Sequence, residues 1–160
     1  MKRTGLFLTL ALLALLAPTA AAVKPLKESV PPPEDAVHPA GLVCPFPLLE
    51  EVVSDRSKSI TFSDGSQLVT GTFKVRLTNL DTGESIVVNA SGPGRFTVEG
   101  DVLHVSGRGA WLLLATADEP GGPGALFVHG HIRFDVDLLT GAPSNLEVRG
   151  TTRDLCEVLA

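Results

Sequence analysis

Two histidines separated by one residue, His129 and His131, are the first candidates for chemistry in this chain. Alternate side chains of a β-strand point to the same face, so the two imidazoles would lie side by side. Imidazoles at this spacing can share a metal ion, and His104 from a neighbouring strand could add a third ligand. The alternative is a solvent-facing pair beside Arg133, because the intervening positions are mostly aliphatic. If the polar side instead faced an interior, His129, His131 and Arg133 would line a ligand cavity.

Carboxylates form the second set of candidates. Asp135 and Asp137 share one face of the same predicted strand, and Glu50 and Glu51 are adjacent. Paired carboxylates perform acid–base chemistry only across a cleft in which their environments differ, and on an exposed strand they act as solubilising charges. Residues 91–94 lack the G-x-S-x-G pattern of a nucleophile elbow. The sequence therefore predicts no catalytic residue and no cofactor.

The chain has two cysteines, Cys44 and Cys156. Two thiols exclude the multi-cysteine zinc and iron–sulfur frameworks, and in an exported protein they are expected to pair. The bond would close a loop of more than about 100 residues and hold both ends of the folded region together. The alternative, a nucleophilic cysteine with a histidine base, is disfavoured because neither cysteine has cationic neighbours in the sequence to lower its pKa.

Residues 1–22 have the organisation of a secretory signal peptide. Lys2 and Arg3 precede an apolar run over residues 6–17, and Ala20 and Ala22 form an A-x-A cleavage site. The run is shorter than the roughly 20 apolar residues that span a membrane, although an uncleaved anchor is the alternative. We therefore predict export to the extracellular space or the cell envelope.

Removal of the leader changes the charge of the chain. Without Lys2 and Arg3, 11 basic residues face 18 acidic ones, so the net charge becomes −7 with histidine neutral. Such a chain lacks the basic footprint of a general nucleic-acid binder. The longest later apolar run, residues 111–117, is too short to cross a membrane. The expected partner is an extracellular ligand or protein.

Residues 23–43 are rich in proline and predict a flexible linker, because proline lacks the amide hydrogen that a sheet or helix requires. A proline-rich recognition motif is the alternative. From residue 44 to residue 160, alternating polar and apolar runs separated by turn residues predict a β-rich domain. Strands are predicted at residues 58–62, 69–78, 84–90, 95–99, 102–106, 110–116, 126–138 and 145–149, and residues 48–53 fit either a strand or a helix.

About eight strands predict an all-β antiparallel barrel or sandwich, and the sequential hairpins favour the barrel because closure removes exposed edges. The long run 126–138 is expected to bend at Gly130, where a missing side chain permits a bulge. Residues 151–159 predict a short C-terminal helix, with Thr151 as its cap and Asp154 in its first turn.

Several short segments carry a resemblance: Thr-Asn-Leu-Asp-Thr-Gly at residues 78–83, Ser-Gly-Pro at 91–93 and Asp-Leu-Cys at 154–156. With the leader, spacer and opening cysteine, they make the chain resemble a group of uncharacterised small secreted proteins of actinomycete-type bacteria. The resemblance implies export and a β-rich fold, and it supplies no catalytic residues.

The predicted function is a secreted, disulfide-stabilised binding module for a small ligand or an extracellular partner. A secreted hydrolase or metal-dependent enzyme that uses His104, His129 and His131 is the first alternative. A structural component of the envelope or matrix is the second.

Overall fold

The computed structural model describes residues 24–160, so the predicted signal peptide, with Ala20 and Ala22, lies outside the described residues. Within that range the regular structure is almost entirely antiparallel β-sheet, followed by one short helix. The elements are β1 (Leu26–Ser29), β2 (Ala36–His38), β3 (Leu48–Asp55), β4 (Lys58–Thr61), β5 (Gln67–Thr70), β6 (Phe73–Asn79), β7 (Ser85–Asn89), β8 (Gly94–Glu99), β9 (Val102–Ala115), β10 (Gly124–Asp137), β11 (Pro143–Asp154) and α1 (Leu155–Leu159).

The strands form two sheets. Seven strands pair in the order β1-β4-β5-β8-β9-β10-β11, and four pair in the order β2-β3-β6-β7. The predicted all-β antiparallel fold with a short C-terminal helix is confirmed. Of the two predicted architectures the structure has the sandwich-like one, because consecutive strands are divided between two sheets and, within residues 24–160, neither sheet closes into a barrel.

An aliphatic core joins the four-stranded sheet to one end of the larger sheet and to α1. Leu48, Val75 and Leu77 from the small sheet, Ala125 from β10 and Leu155 from α1 are all fully buried. These residues occupy alternate positions of their strands, as expected for strands that are apolar on one face and polar on the other. Burial of this face is the main source of the sandwich's stability.

The proline-rich stretch is not the unpaired linker that the sequence predicts. Strand β1 pairs with β4, from Leu26 opposite Thr61 to Ser29 opposite Lys58, and β2 pairs with β3. Both short strands lie at the edge of a sheet, and the prolines lie outside the strands rather than within them. Proline is tolerated at such positions because no ladder hydrogen bond is lost.

Two further strand boundaries differ from the prediction. The run 69–78 is divided at Gly71, so that β5 joins the large sheet and β6 joins the small one. Gly71 has φ 146°, and a Cβ there would lie 2.4 Å from the carbonyl oxygen of Arg56. Conversely, the two strands predicted at residues 102–106 and 110–116 are the single strand β9.

A row of three glycines crosses the large sheet, with Gly130 of β10 paired to Gly109 of β9 and to Gly150 of β11. Their φ angles are 151°, 81° and 149° respectively. The chain bends here: a Cβ on Gly107 would lie 2.3 Å from the Trp111 indole, although residues four apart in a straight strand are about 13 Å apart. This bend lies in β9, whereas β10 keeps its register through Gly130 and shifts it between Arg133 and Asp135, so the bulge predicted at Gly130 is not found there. We call the three paired glycines the glycine row.

The C-terminal helix and the first core residues are covalently joined. Cys44 and Cys156 form the predicted disulfide, with a sequence separation of 112 and both side chains buried. The helix N-cap is Asp154, whose Oδ1 accepts a hydrogen bond from the Cys156 amide at 2.8 Å. The prediction of Thr151 as cap is wrong, because Thr151 belongs to β11 and pairs with His129. In the described part of the chain, the helix is far too short to cross a membrane.

Candidate functional site

On the side of the glycine row that leads to the C-terminal end of β10, strands β8 to β11 carry polar side chains on one face of the large sheet. Directly paired residues of antiparallel strands project to the same face, so the strand register defines rows of neighbouring side chains. Two adjacent rows are rich in arginine, and together they form what we call the arginine face: Arg108–His131–Arg149, and Arg95–Ser106–Arg133. The second row ends on β11 at Glu147, which lies directly opposite Arg133.

The arginine face exists because polar and aliphatic residues alternate along β9 and β10. Val105 and Ile132 point to the opposite side of the sheet and are buried, with 3% and 0% of their surface exposed. Ser106, Arg108, His131 and Arg133 alternate with them and are exposed. Because the strand period is two, burial of one set of side chains places the other set at the surface.

Positive charge is concentrated on this face. Arg108 and Arg149 lie directly opposite His131, on either side of it. Among residues 24–160, no carboxylate oxygen comes within 4.0 Å of the Arg108 or Arg133 guanidinium. A chain with a formal net charge of −5 thus gathers four arginines on one surface.

The two remaining arginines make long, exposed ion pairs. Arg95 lies 3.8 Å from the Asp64 carboxylate, and Arg149 lies 3.6 Å from that of Glu147. The Arg95 and Arg149 side chains are 53% and 81% exposed, so water screens both ion pairs. The Arg95 guanidinium also donates to Ser66 Oγ at 2.8 Å and lies over the Phe62 ring.

A shallow groove of about 430 Å³ runs over this surface and is lined by Arg95, Ser106, Arg108, His131 and Arg133. Guanidinium groups bind carboxylate, sulfate and phosphate through paired N–H donors. From β8 to β11 the arginines extend over three strand spacings, which is about 14 Å. The arrangement can therefore hold several anionic groups at once.

A hydrogen-bonded histidine–aspartate pair lies in the next row of the same face. His104 Nδ1 lies 2.6 Å from Asp135 Oδ1, and Asn145 donates from Nδ2 to Asp135 Oδ2 at 2.8 Å. The hydrogen bond from Asn145, followed by that from His104, holds the pKa of Asp135 below its ordinary value. An ionised aspartate that accepts from Nδ1 leaves Nε2 free to exchange protons. Glu99 Oε2 lies 3.9 Å from that nitrogen.

The histidine–aspartate pair adjoins the arginine face. A second groove of about 550 Å³ contains His104, Asp135 and Asn145, and it shares Ser106 and Arg133 with the first groove. The register between β10 and β11 shifts between Arg133 and Asp135, and Asn145 has φ 54°. This irregularity sets the position from which Asn145 reaches the carboxylate.

The three predicted ligand histidines are not brought together. His131 lies in the arginine groove and His104 pairs with Asp135, whereas His129 lies across the glycine row, where its ring packs edge-on against Phe127 with centroids 5.2 Å apart. Among residues 24–160, no group of three histidine, cysteine, aspartate or glutamate side chains has the arrangement of a metal site.

The carboxylates of the two predicted pairs do not act together, because each of them binds a different local partner. Asp137 accepts hydrogen bonds from the backbone amides of the turn after β10, and the one from Thr140 is the main cause of its lowered pKa. Glu50 bonds to His38 at 3.1 Å, and Glu51 pairs with Arg76 at 3.6 Å on the four-stranded sheet. These carboxylates stabilise turns and strand pairs rather than form a cleft.

Sequence reasoning missed most of the arginine face and also Asn145. The positions of Ser106 and Arg108 alternate with those of apolar residues, a signal that can be read in the sequence. Arg95 and Arg149 join them only through the pairing of four strands, which no local pattern specifies.

No family model, curated protein or solved structure matched this chain in the comparisons made. The resemblance to small secreted proteins of actinomycete-type bacteria therefore stays a prediction.

Proposed function

We propose that the protein is an exported binding module that holds a polyanionic ligand on its arginine face. The observation that carries the proposal is the register: it places four arginines and His131 in two adjacent rows that contain one acidic residue, Glu147. In the described chain no carboxylate oxygen lies within 4.0 Å of the Arg108 or Arg133 guanidinium. An anion bound between Arg108 and Arg149 would accept charged hydrogen bonds from both guanidinium groups.

Export is supported by two independent features. The leader has the basic start, apolar run and A-x-A site of a signal peptide. The Cys44–Cys156 disulfide closes the folded region, and such bonds persist in oxidising compartments. The ligand is then an extracellular or envelope polyanion, such as a sulfated or phosphorylated saccharide, whose anionic groups span about 14 Å.

Calorimetric titration at low salt tests the binding proposal. The probes are heparin, inositol hexakisphosphate and inorganic sulfate, which differ in size and in the number of anionic groups. We expect affinity to increase with the number of anionic groups and to fall as salt is added. If inorganic sulfate binds as tightly per anionic group as the two larger probes, the site holds one anion only and the polyanion proposal is wrong.

The variant Arg108→Gln/Arg133→Gln should weaken heparin binding at least about tenfold, because each charged hydrogen bond contributes about 1.5–3 kcal/mol. The matched control is Lys74→Gln/Arg76→Gln on β6, which removes the same charge from the four-stranded sheet. If the control weakens binding as much as the test variant, the attraction is non-specific and the proposed site is wrong.

A second candidate function, hydrolysis of a bound phosphate or sulfate ester, is favoured by the 2.6 Å contact between His104 and Asp135 beside Arg133. His104 Nε2 would take a proton from water as the water oxygen attacks the phosphorus or sulfur of the ester held by the arginines. The bond from that atom to the alcohol oxygen breaks, and the alcohol leaves with the proton that the imidazolium returns to it. Turnover of p-nitrophenyl phosphate and p-nitrophenyl sulfate, lost in His104→Gln but with anion binding retained, would establish this activity. Binding without turnover would show that the protein binds the ester and does not hydrolyse it.

A further inference from the structure

We propose that the protein has a second binding site, for one neutral aromatic ring, in a cavity beside Trp111. This Trp111 cavity lies where β5, β8 and β9 of the large sheet meet the start of β6, and its walls include Phe73, Phe96 and Trp111. It does not include any residue of the arginine face, so the inference is independent of the function proposed above.

The backbone fixes the Trp111 indole in one position. An added Cβ would lie 2.3 Å from the ring at Gly107, 2.7 Å at Gly94 and 2.5 Å at Gly92, so the ring rests directly on three glycine residues. The indole Nε1 also donates to the carbonyl oxygen of Arg108 at 3.3 Å. An aromatic wall that is already ordered loses little conformational entropy when a ligand binds.

The size and charge of the cavity define the ligand class. It is about as open to solvent as the groove of the arginine face, and its volume is about 220 Å³. An enclosed apolar cavity of about 150 Å³ already holds one benzene-sized molecule, so the volume is enough for one aromatic ring. None of the residues that line the cavity carries a charge, so a charged ligand would lose its hydration without gaining an ion pair.

The cavity walls favour an aromatic ligand with a small polar substituent. The rings of Phe73, Phe96 and Trp111 offer faces and edges for stacked or edge-on contacts. The hydroxyl groups of Ser57 and Thr70 belong to the lining and provide hydrogen-bonding groups for one polar substituent. A few polar groups in a mainly apolar concavity are typical of small-molecule sites.

Trp111 is itself the probe for the test, because the chain has one tryptophan and no tyrosine. Titration with benzyl alcohol should shift the tryptophan emission in a saturable manner, with a Kd in about the millimolar range expected for so small a ligand. Cyclohexylmethanol, which has a similar size but no aromatic ring, should bind several times more weakly.

Two variants that reduce the cavity provide the structural control. Ala90→Leu fills it from inside, and Thr70→Phe covers it from an exposed position. Each should raise the Kd for benzyl alcohol at least about tenfold, whereas Val87→Leu, at an exposed position of β7 outside the cavity lining, should leave it unchanged. Thr70→Phe keeps the test valid if Ala90→Leu does not fold.

A linear, non-saturable change in emission, or equal affinity in Thr70→Phe and the unchanged protein, would overturn the proposal. Retention of benzyl alcohol binding in Arg108→Gln/Arg133→Gln shows that the two sites are separate. These substitutions leave the Arg108 backbone carbonyl, which accepts the hydrogen bond from Trp111, in place. If the protein does not bind polyanions, the result of the benzyl alcohol titration still stands.

Discussion

Asn79 Nδ2 donates a hydrogen bond to the carbonyl oxygen of Leu159 at 2.8 Å, joining residues 80 positions apart. Asn79 ends β6 and is 2% exposed, and Leu159 is the last residue of α1. The bond satisfies a carbonyl that the helix itself leaves without a partner. With the disulfide at Cys156, it fixes the C-terminal helix against the four-stranded sheet.

Substitution of Asn79 by alanine should therefore destabilise the whole domain. It leaves the Leu159 carbonyl without its partner in a buried environment and also removes the Oδ1 that accepts from the Asp81 amide. We expect a loss of about 1–3 kcal/mol in the free energy of unfolding, measured by urea denaturation. Gln67→Ala, which removes an exposed amide on β5, is the control and should change stability by less than about 0.5 kcal/mol.

The Cys44–Cys156 bond should contribute about 4–5 kcal/mol, because it closes a loop with a sequence separation of 112. The replacement Cys44→Ala/Cys156→Ala should lower the denaturation midpoint accordingly. In a reductant strong enough to open the disulfide, the denaturation midpoint of the unchanged protein should fall to that of the variant. Equal midpoints for the oxidised protein and the variant would contradict the expected contribution.

Gly130→Ala should destabilise the large sheet at the glycine row. The new Cβ would lie 2.1 Å from the carbonyl oxygen of Arg149, and the φ of 151° strains any other residue. We expect a loss of at least about 2 kcal/mol in thermal or urea unfolding. Gly141→Ala separates the two causes, because Gly141 has φ 75° with no neighbour within 4 Å. It should cost about 1–2 kcal/mol, from backbone strain alone.

The His104–Asp135 pair predicts an acid dependence of stability. Hydrogen bonds from Asn145 and His104 lower the Asp135 pKa below its ordinary value of 3.8. A carboxylate whose pKa is lower in the folded state stabilises the protein above the unfolded value and loses that contribution as pH falls through the folded one. The stability difference between the protein and Asp135→Asn should therefore be constant above about pH 5 and shrink below pH 4.

Urea midpoints between neutral pH and acid pH provide the measurement. Asp118→Asn, in the exposed segment after β9, is the matched control and should follow the curve of the unchanged protein. A difference that grows with acid would show that the Asp135 carboxylate is not stabilised in its charged form.

Local patterns were sufficient for part of the fold. Alternation along β10 predicted the strand and its polar face, because both depend on the residues of that strand alone. The bulge expected at Gly130 lies instead between Arg133 and Asp135. The number of cysteines predicted the disulfide, since two thiols can pair in only one way within a chain. The same local reasoning misjudged the proline-rich stretch, where β1 and β2 find partners in β4 and β3 that lie far along the chain.

The candidate site was only partly visible in the sequence. His131 and Arg133 were identified through the period of their own strand, whereas Arg95 and Arg149 were not. The side chains of β8 and β11 become neighbours of β10 only when the register is set by hydrogen bonds between strands. The histidines failed as a metal set because each has different surroundings: His129 packs against Phe127, His131 lies in the groove of the arginine face and His104 pairs with Asp135.

The sequence by itself determined the β-rich class, the cysteine pairing and which side of β10 is polar, since composition and a period of two act within short segments. The tertiary structure decided the division into two sheets, the arginine face and the Trp111 cavity. Each of these depends on which distant strands pair and in what register, and that choice is made by burial of the whole apolar surface rather than by any single segment.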